Sequence, residues 1–371
     1  MRRTSIIIAA VTALVTMLVV SAIPLASDSS DAADKSFDVK YTLKNVEYNV
    51  HFDGPVDHVI VFGYAAALTV MDTDQIDKLY ACDKYADDAY AEKGLERKSN
   101  LIANLSSSNV DLIFSSIMQA VQKGEFSKDD AVILTTMTSA ADSVRSKLAA
   151  EGFTHVVFYG SMSEYSDIIR CVKEIEMMLG SGSNLYKNME YILEKVNDAL
   201  KDVPKKDAMF VWYSPSNGWG YGNTGSLSVS MINAAGGNNI GYTPDSSETI
   251  IYNKSGIIQK LGASPEAVIF LDSGYIRSYG GSVAQFVNDV LDGDQGKHVI
   301  CVSEHAWNNY CPESAEGLWK MAHVLHPDVI EGDVPVYTDE GSKDNTALYI
   351  GIGVAAVIAV AGALVFLRMR Y

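Results

Sequence analysis

Short apolar runs that alternate with helix-like segments restrict the fold of this chain more than any other feature. Six such runs fall into two groups, residues 58–62, 131–135 and 155–159 and then residues 208–214, 267–272 and 298–303. Apolar runs of this length between amphipathic helices are typical of parallel strands in a sheet that helices cover on both faces. The pattern predicts an α/β fold with two Rossmann-like lobes, each built on a parallel-rich sheet. Apolar–polar alternation over residues 37–52 predicts a hairpin, turning near Asn45, before the first lobe.

One long helix is predicted where the first lobe ends. Residues 185–203 carry apolar side chains at helical spacing, and neither glycine nor proline interrupts them before Pro204. A helix of this length spans about 28 Å and is stiff. We therefore predict a single long rigid helix that joins the lobes, a ligand cleft between the lobes, and only a small closure on ligand.

Both ends of the chain carry apolar runs, at residues 6–26 and 347–367, with arginines on their outer flanks. The second run contains no charged residue and is long enough to cross a hydrocarbon core of about 30 Å, so it predicts a transmembrane helix. The flanking arginines favour an extracytoplasmic location for everything between the two runs. The first run is typical of a cleaved signal peptide, and a retained anchor is the alternative.

The predicted segments follow one another along the whole chain. They are residues 1–26 as signal peptide or uncleaved anchor, 27–36 as tether, 37–180 as N-terminal lobe, 181–204 as interlobe helix, 205–330 as C-terminal lobe, 331–346 as acidic stalk, 347–367 as transmembrane helix and 368–371 as cytoplasmic tail. No cysteine lies near the end of the first run, which excludes a lipid anchor there. The C-terminal span without a lipid anchor suggests an archaeal-type cell surface.

Charge and cysteine content exclude several classes of function. The formal net charge of -17 argues against nucleic acid and anionic lipid as partners, because both are polyanions. None of the four cysteines occurs in a C-x-x-C pattern, so metal-thiolate and redox motifs have little support. Cysteines outside the cytoplasm can pair, and we predict Cys301 and Cys311 as the pair best suited to form a disulfide, with unpaired cysteines as the alternative.

A segment rich in glycine and aromatic residues, 214–225, follows the first apolar run of the second group. Three of its glycines match the G-x-G-x-x-G pattern of dinucleotide-binding turns. We reject that interpretation, because the segment is longer than a tight strand-to-helix turn and carries large aromatic side chains. We predict instead a loop that presents Trp219, Tyr221 and Asn223 to a ligand. A purely structural turn is the alternative.

Aromatic and polar residues also follow other predicted strands, whose carboxyl ends are where open α/β sheets bind ligands. Tyrosine and tryptophan there offer stacking area with a polar group, which suits a large conjugated or macrocyclic ligand. These further predicted ligand-binding residues are Tyr64, Ser161, Tyr165, Tyr275, Glu304, His305 and Trp307. His305 could coordinate the metal of a bound chelate, and a structural role in its loop is the alternative. The sequence contains no nucleophile elbow, P-loop, EF-hand loop or H-E-x-x-H motif, so we predict that the chain is not an enzyme.

Five stretches, taken in their order, resemble a known family. They are HVIVFGYAAA at 58–67, WYS at 212–214, MINAAGGNNI at 231–240, AVIFLD at 267–272 and GLWKMAHVLHPD at 317–328. The family comprises the substrate-binding proteins of ABC importers for iron complexes and cobalamin, and the resemblance covers about residues 37–330. Two features depart from the family. Residues 80–97 are unusually charged, and the acidic loops that dock a permease are not recognisable, so permease contacts stay unassigned.

The resemblance implies a monomeric receptor that captures a metal chelate, namely a ferric siderophore, haem or a corrinoid, and delivers it to an ABC permease and its ATPase. No intrinsic cofactor is implied, because the iron or cobalt complex is the transported ligand. The C-terminal helix would attach the receptor to the membrane. The alternative is a non-transport cell-surface adhesin or scaffold that kept the fold, and permease and ATPase genes beside this one would distinguish the two.

Overall fold

The computed structural model describes residues 36–338 except 161, 295 and 303–310. For Glu92 it describes only the backbone. The chain divides into two compact units: within the described residues, unit 1 contains 36–160 and 173–183, and unit 2 contains 162–172 and 184–338. Both predicted terminal apolar runs lie outside the described residues. Among the helices that are described, none is long and apolar enough to cross a membrane.

Unit 1 is built on a sheet of five parallel strands. They are β3 (Val59–Val61), β4 (Leu79–Asp83), β5 (Asn100–Ile102), β6 (Ala131–Thr135) and β7 (Val156–Tyr159), in the spatial order β5-β4-β3-β6-β7. The three central strands are almost wholly buried, which explains why they read as continuous apolar runs. The predicted hairpin is confirmed as β1 (Phe37–Leu43) and β2 (Val46–Phe52). Its two turn residues, Lys44 and Asn45, both have positive φ, as a tight two-residue hairpin turn requires.

The helices of unit 1 follow the strands in regular alternation. They are α1 (Tyr64–Asp72), α2 (Lys84–Glu92), α3 (Val110–Gln122) and α4 (Thr138–Ala150), with short 3-10 turns at Ile76–Lys78 and Ser107–Asn109. The next helix, α5 (Tyr165–Leu179), contains residues of both units. Buried apolar residues of α3 and α4, such as Ile113 and Val144, share one core with the sheet.

Unit 2 contains a mixed sheet. Its strands are β8 (Lys206–Ser214), β9 (Gly218–Gly222), β10 (Gly237–Asn239), β11 (Ile250–Ile251), β12 (Val268–Asp272) and β13 (Val299–Val302). The spatial order is β11-β9-β8-β12-β13, and β10 pairs with the first half of β8. Strands β8, β10, β12 and β13 are parallel, whereas β9 runs antiparallel to both β8 and β11. The parallel-rich α/β class is thus confirmed, with one antiparallel excursion that the sequence pattern did not predict.

The helices of unit 2 include the one predicted to join the lobes. They are α6 (Leu185–Leu200), α7 (Leu227–Ala234), α8 (Lys254–Ala263), α9 (Gly274–Tyr279), α10 (Val283–Val290) and α11 (Ser314–Leu325). Helix α6 ends slightly earlier than predicted, and it buries Met189, Ile192 and Val196 on one face. All of α6 belongs to unit 2, and its role as a joining helix stays a prediction.

The predicted disulfide is not present. Each of the four cysteines, all of them in the described part of the chain, is a thiol. Cys301 lies exposed on β13, whereas Cys311 is completely buried ahead of α11. The two cysteines are close in sequence, but their sulfur atoms lie in different environments.

Candidate ligand site

Five aromatic side chains lie together near the carboxyl ends of β8 and β12. This aromatic cluster consists of Tyr213, Trp219, Tyr275, Tyr279 and Phe286. Tyr213 and Trp219 stand directly opposite each other in the antiparallel pair β8–β9, and their ring centroids are 4.9 Å apart. A short turn makes this possible, since the amide of Asn217 donates to the carbonyl of Ser214 at 3.2 Å and Gly218 supplies a positive φ.

Helix α9 brings two tyrosines to the same place. Tyr275 lies in its first turn, with ring centroids 5.1 Å from Tyr213 and 4.6 Å from Trp219. Tyr279 follows one turn later, 5.7 Å from Tyr213. The rings meet edge-on or tilted at 60–64°, the arrangement that aromatic quadrupoles favour. The cluster is therefore a preformed, well-packed surface.

Exposure changes from one side of the aromatic cluster to the other. Phe286 is fully buried beneath Trp219, at 5.0 Å. Tyr275 is 8% exposed, and Tyr279 is 50% exposed. Burial raises the pKa of Tyr275, with smaller contributions from Asp289 and Tyr213, so the phenol stays protonated at neutral pH. The exposed side of the cluster, at Tyr279, thus offers aromatic area with a hydroxyl group, and the buried Phe286 supports the cluster from the core.

A glycine next to α9 allows Tyr275 to take its position. A Cβ atom on Gly281 would lie 2.2 Å from Cζ of the Tyr275 ring, well inside van der Waals contact. The amide of Gly281 also donates to the carbonyl of Tyr275 at 3.1 Å. Only glycine fits between this backbone and the ring. The position of Tyr275 in the aromatic cluster therefore depends on Gly281, which lies outside the cluster.

Two of the predicted ligand residues are placed elsewhere. Tyr221 points to the same side of β9 as Trp219 but is 3% exposed and packs in the core with Ile257. The Lys260 ammonium lies 5.4 Å from the centroid of its ring. The segment that was predicted to be a ligand-presenting loop is in fact a strand of the sheet, and the side of β9 that bears Trp219 and Tyr221 packs on the core.

Asn223 serves the protein itself. Its amide nitrogen donates to the carbonyls of Ser246 at 3.0 Å and Glu248 at 2.8 Å, and its Oδ1 accepts from the Thr243 amide at 2.7 Å. The residue is almost completely buried. Asn223 therefore holds the loop before β11 in place, and the alternative of a structural role describes it better than the predicted ligand contact.

The glycines of β9 have a steric explanation. A Cβ on Gly222 would lie 2.9 Å from Val229 and 3.1 Å from Phe210, and a Cβ on Gly220 would lie 2.9 Å from Ile250. Both glycines lie in the strand itself, not in a strand-to-helix turn. This geometry agrees with the prediction that these glycines do not form a dinucleotide-binding turn.

Tyr64 lies at the carboxyl edge of the unit 1 sheet, between β3 and β6, where the strand order reverses. It begins α1 and is half-buried. The preceding Gly63 has φ 104°, and a Cβ there would lie 2.1 Å from Oγ1 of Thr135. Such a reversal point is where α/β sheets commonly bind ligands. Tyr85 and Met137, each two residues after a strand end, are exposed at this edge; sequence reasoning missed both.

A buried carboxylate lies beneath the same edge. Asp83 ends β4, accepts from the Gly63 amide at 3.2 Å and caps α2 by accepting from the Ala86 amide at 3.0 Å. Burial raises the pKa of Asp83, and the surrounding backbone amides oppose this only in part. The carboxylate is fully enclosed, so its role is to hold Gly63 and the start of α2.

The remaining predicted residues fall into two groups. Tyr165 is buried within unit 2, where its amide donates to Ser230 Oγ at 3.2 Å; burial raises the pKa of its phenol well above the usual range. Ser161, Glu304, His305 and Trp307 lie outside the described residues, and their roles stay predictions. Within the part of the chain that is described, no three His, Cys, Asp or Glu side chains are grouped as a metal site would need.

Comparison with known proteins identifies the fold. No family model matches the sequence, and no curated protein matches it. Among solved structures, Helicobacter pylori CeuE in a nickel–histidine complex matches with a TM-score of 0.56 at 14% identity, over 79% of this chain and 90% of that one. The periplasmic haem-binding protein HutB of Vibrio cholerae matches with a TM-score of 0.53 at 13% identity, over 73% of this chain and 99% of its own.

A third match is the periplasmic vitamin B12-binding protein BtuF of Vibrio cholerae, with a TM-score of 0.52 at 17% identity over 74% of this chain and 98% of its own. At these identities the likeness establishes the fold and nothing finer. The chain has the fold of periplasmic binding proteins, and the resemblance seen in its sequence is confirmed at that level.

Proposed function

We propose that this chain is the extracytoplasmic substrate-binding protein of an ABC importer and that it captures a metal chelate, namely a ferric siderophore, haem or a corrinoid. The observation that carries the proposal is the aromatic cluster at the carboxyl ends of β8 and β12. It lies on a fold that also serves proteins described as binding haem, vitamin B12 and a nickel–histidine complex.

The chemistry of the aromatic cluster supports a large, flat or macrocyclic ligand. Tyr279 is half exposed and Trp219 is partly exposed, and an aromatic contact between such a ring and a conjugated system contributes about 0.5–1.5 kcal/mol beyond area burial. Tyrosine hydroxyls can donate to the carboxylate or catecholate oxygens that such chelates carry. The metal arrives already coordinated by its chelator, so the protein needs contact area more than its own ligand set.

The same proposal includes the attachment to the cell surface. A signal peptide at residues 1–26 and a transmembrane helix at residues 347–367 would place both units outside an archaeal-type membrane, next to a permease in the same membrane. The support is the apolar character of these runs and their arginine flanks, together with a fold found in periplasmic proteins.

A binding experiment tests the proposal. The chain without its predicted membrane segments is titrated calorimetrically with haemin, a ferric catecholate siderophore and cyanocobalamin. We expect one of the three to bind with submicromolar affinity, and the double variant Trp219→Ala/Tyr279→Ala to bind it at least about tenfold more weakly. Tyr252→Ala is the matched control, because Tyr252 is an exposed aromatic residue outside the aromatic cluster.

Two results would overturn the proposal. If none of the three chelate classes binds, a cell-surface adhesin or scaffold on the same fold becomes the better account. If a chelate binds equally well to the wild type and to the double variant, the aromatic cluster is not its site.

A further inference from the structure

The described residues that follow α11, up to Thr338, contact helices of unit 2 at several points. Residues 330–338, here called the C-terminal strap, begin where Nδ1 of His323 donates to the carbonyl of Ile330 at 2.5 Å. The indole nitrogen of Trp319 then donates to the carbonyl of Gly332 at 3.4 Å. Both donors are on α11, so the first part of the strap lies along that helix. Residues 331–338 are the first part of the predicted acidic stalk, 331–346, and the stalk itself stays a prediction.

The far end of the C-terminal strap is held by α6. The amide of Tyr337 donates to Oδ1 of Asn188 at 2.9 Å. Its ring meets Tyr191 edge-on, with centroids 6.1 Å apart, and the Lys187 ammonium lies 5.8 Å from the Tyr337 centroid. These three partners occupy the first two turns of α6, so a hydrogen bond, an aromatic contact and a cation–π contact all act on one residue.

Between its two ends the C-terminal strap packs loosely. Gly332, Asp333 and Val334 form one wall of an open, mainly apolar cavity of about 480 Å³, whose other side includes Phe270 and Trp319. Val336 is exposed. Little apolar area therefore holds the middle of the strap, and the contacts of Tyr337 determine whether its far end stays on α6.

The place where the strap ends limits how far the chain can reach beyond it. Nine residue steps separate Thr338 from Ala347, where the predicted transmembrane helix begins, and nine steps span at most about 32 Å. With Tyr337 released, the last residue held by α11 is Gly332, and the fifteen steps from Gly332 to Ala347 span at most about 54 Å. Docking of Tyr337 on α6 thus shortens the reach of the tether by about 22 Å.

We propose that the C-terminal strap, held by Tyr337 on the first two turns of α6, makes this end of α6 the membrane-proximal surface of unit 2. The inference rests on the membrane attachment in the proposed function. With the strap docked, Thr338 stays within about 32 Å of the start of the predicted transmembrane helix, and Asn188 of α6 is hydrogen-bonded to the neighbouring Tyr337. This restricts rotation of unit 2 above the membrane and keeps one of its surfaces close to a permease.

The first experiment tests the docking in solution, with hydrogen exchange of residues 331–338 in the chain without its membrane segments. We expect Asn188→Ala and Tyr337→Ala to speed exchange of the Tyr337 end by roughly five- to tenfold, since each removes a hydrogen-bond acceptor or a ring contact. Asn188→Asp keeps the accepting oxygen and should leave the rate near that of the wild type. Tyr252→Ala serves as the control for loss of an unrelated exposed tyrosine.

The second experiment tests the orientation in the full-length chain inserted in lipid vesicles. Glu190 is exposed on α6, and a fluorophore attached to the Glu190→Cys variant transfers energy to acceptor-labelled lipid headgroups. Cys301→Ser removes the exposed native thiol. We expect efficient transfer in the otherwise native chain and at least a twofold lower efficiency after Tyr337→Ala, because the tether then lengthens.

The outcomes separate the two proposals. Unprotected exchange of the strap in the wild type overturns the orientation and leaves the anchorage standing. A protected strap on a chain that does not insert into vesicles overturns the anchorage, and the orientation with it. Insertion with equal transfer before and after Tyr337→Ala overturns the orientation alone.

Discussion

The carboxyl edges of the two sheets differ although both follow a repeat of strand and helix. In unit 1 every strand of the sheet is parallel to its neighbours, and the edge consists of helix starts, where Tyr85 and Met137 are exposed and the carboxylate of Asp83 is enclosed. In unit 2 β8 turns back into β9, which brings Trp219 opposite Tyr213 and builds an aromatic surface. The single antiparallel excursion in unit 2 therefore gives its edge a group of aromatic rings in mutual contact.

The largest effect is expected at the unit 1 edge, where Gly63→Ala should lower the free energy of unfolding by about 3–5 kcal/mol. The substitution combines a φ of 104° with a Cβ placed 2.1 Å from Oγ1 of Thr135. The urea midpoint of unfolding measures the loss. Gly124→Ala is the matched control, since it has a positive φ but no atom within 4 Å of its Cβ, and it should cost about 1 kcal/mol. Equal losses at both glycines would show that the positive φ of Gly63 alone accounts for the loss of stability, and that the contact with Thr135 adds nothing.

The next comparison lies within β9, between two aromatic residues on one side of the strand. Tyr221→Ala should lower the free energy of unfolding by about 3 kcal/mol, because it empties a buried position. Trp219→Ala should cost less stability but weaken chelate binding by about 1–3 kcal/mol. Thermal unfolding and calorimetric titration of both variants separate the effects. A Tyr221→Ala variant that stays fully stable and loses ligand would return this residue to the site.

A smaller effect is expected from Gly281→Ala, which alters the aromatic cluster without removing any of its rings. The added Cβ would lie 2.2 Å from the Tyr275 ring, so the ring must shift, at a cost of about 1–3 kcal/mol in the free energy of unfolding. Chelate affinity should fall as well, by roughly tenfold, because Tyr275 contacts both Tyr213 and Trp219. Gly262→Ala on α8 adds a methyl group with nothing within 4 Å and should leave affinity unchanged. Unaltered binding in Gly281→Ala would mean that the ligand does not depend on the position of Tyr275.

Strands with long buried runs could be predicted from the sequence, and the exceptions have physical causes. The run at 131–135 became β6 and that at 155–159 became β7, because strands buried on both faces contain few polar residues. β5 has only three residues, two of them exposed, so it carries no periodic signal. β9 reads as a loop because its glycines suggest a turn, although Trp219 and Tyr221 alternate with glycine at the two-residue period of a strand.

Less of the candidate site could be predicted. Trp219 and Tyr275 were placed near a ligand from their positions after strands, and they do meet. Tyr213 and Tyr279 were missed because one lies inside a strand and the other at the end of a short helix. The internal hydrogen bonds of Asn223 could not be predicted, because its three side-chain partners lie some twenty residues further along the chain and only the folded loop brings them together.

The smallest expected effect is a pH dependence at the unit 1 edge, from Asp83→Asn. Burial raises the pKa of Asp83 in the folded chain above its usual value of 3.8, so the folded state holds this proton more tightly than the unfolded state does. The contribution of Asp83 to the free energy of unfolding is therefore greatest below pH 3.8 and is lost as the pH rises through the raised pKa. Asparagine cannot ionise, and its changed hydrogen bonding to the amides around it shifts stability by an amount independent of pH.

The free energy of unfolding of the wild type minus that of Asp83→Asn, measured by urea denaturation from pH 3 to pH 7, should decrease as the pH rises. A difference for Asp83 that increases with pH would mean that the backbone amides lower the pKa of Asp83 more than burial raises it. The ionised form of Asp83 would then stabilise the unit 1 edge.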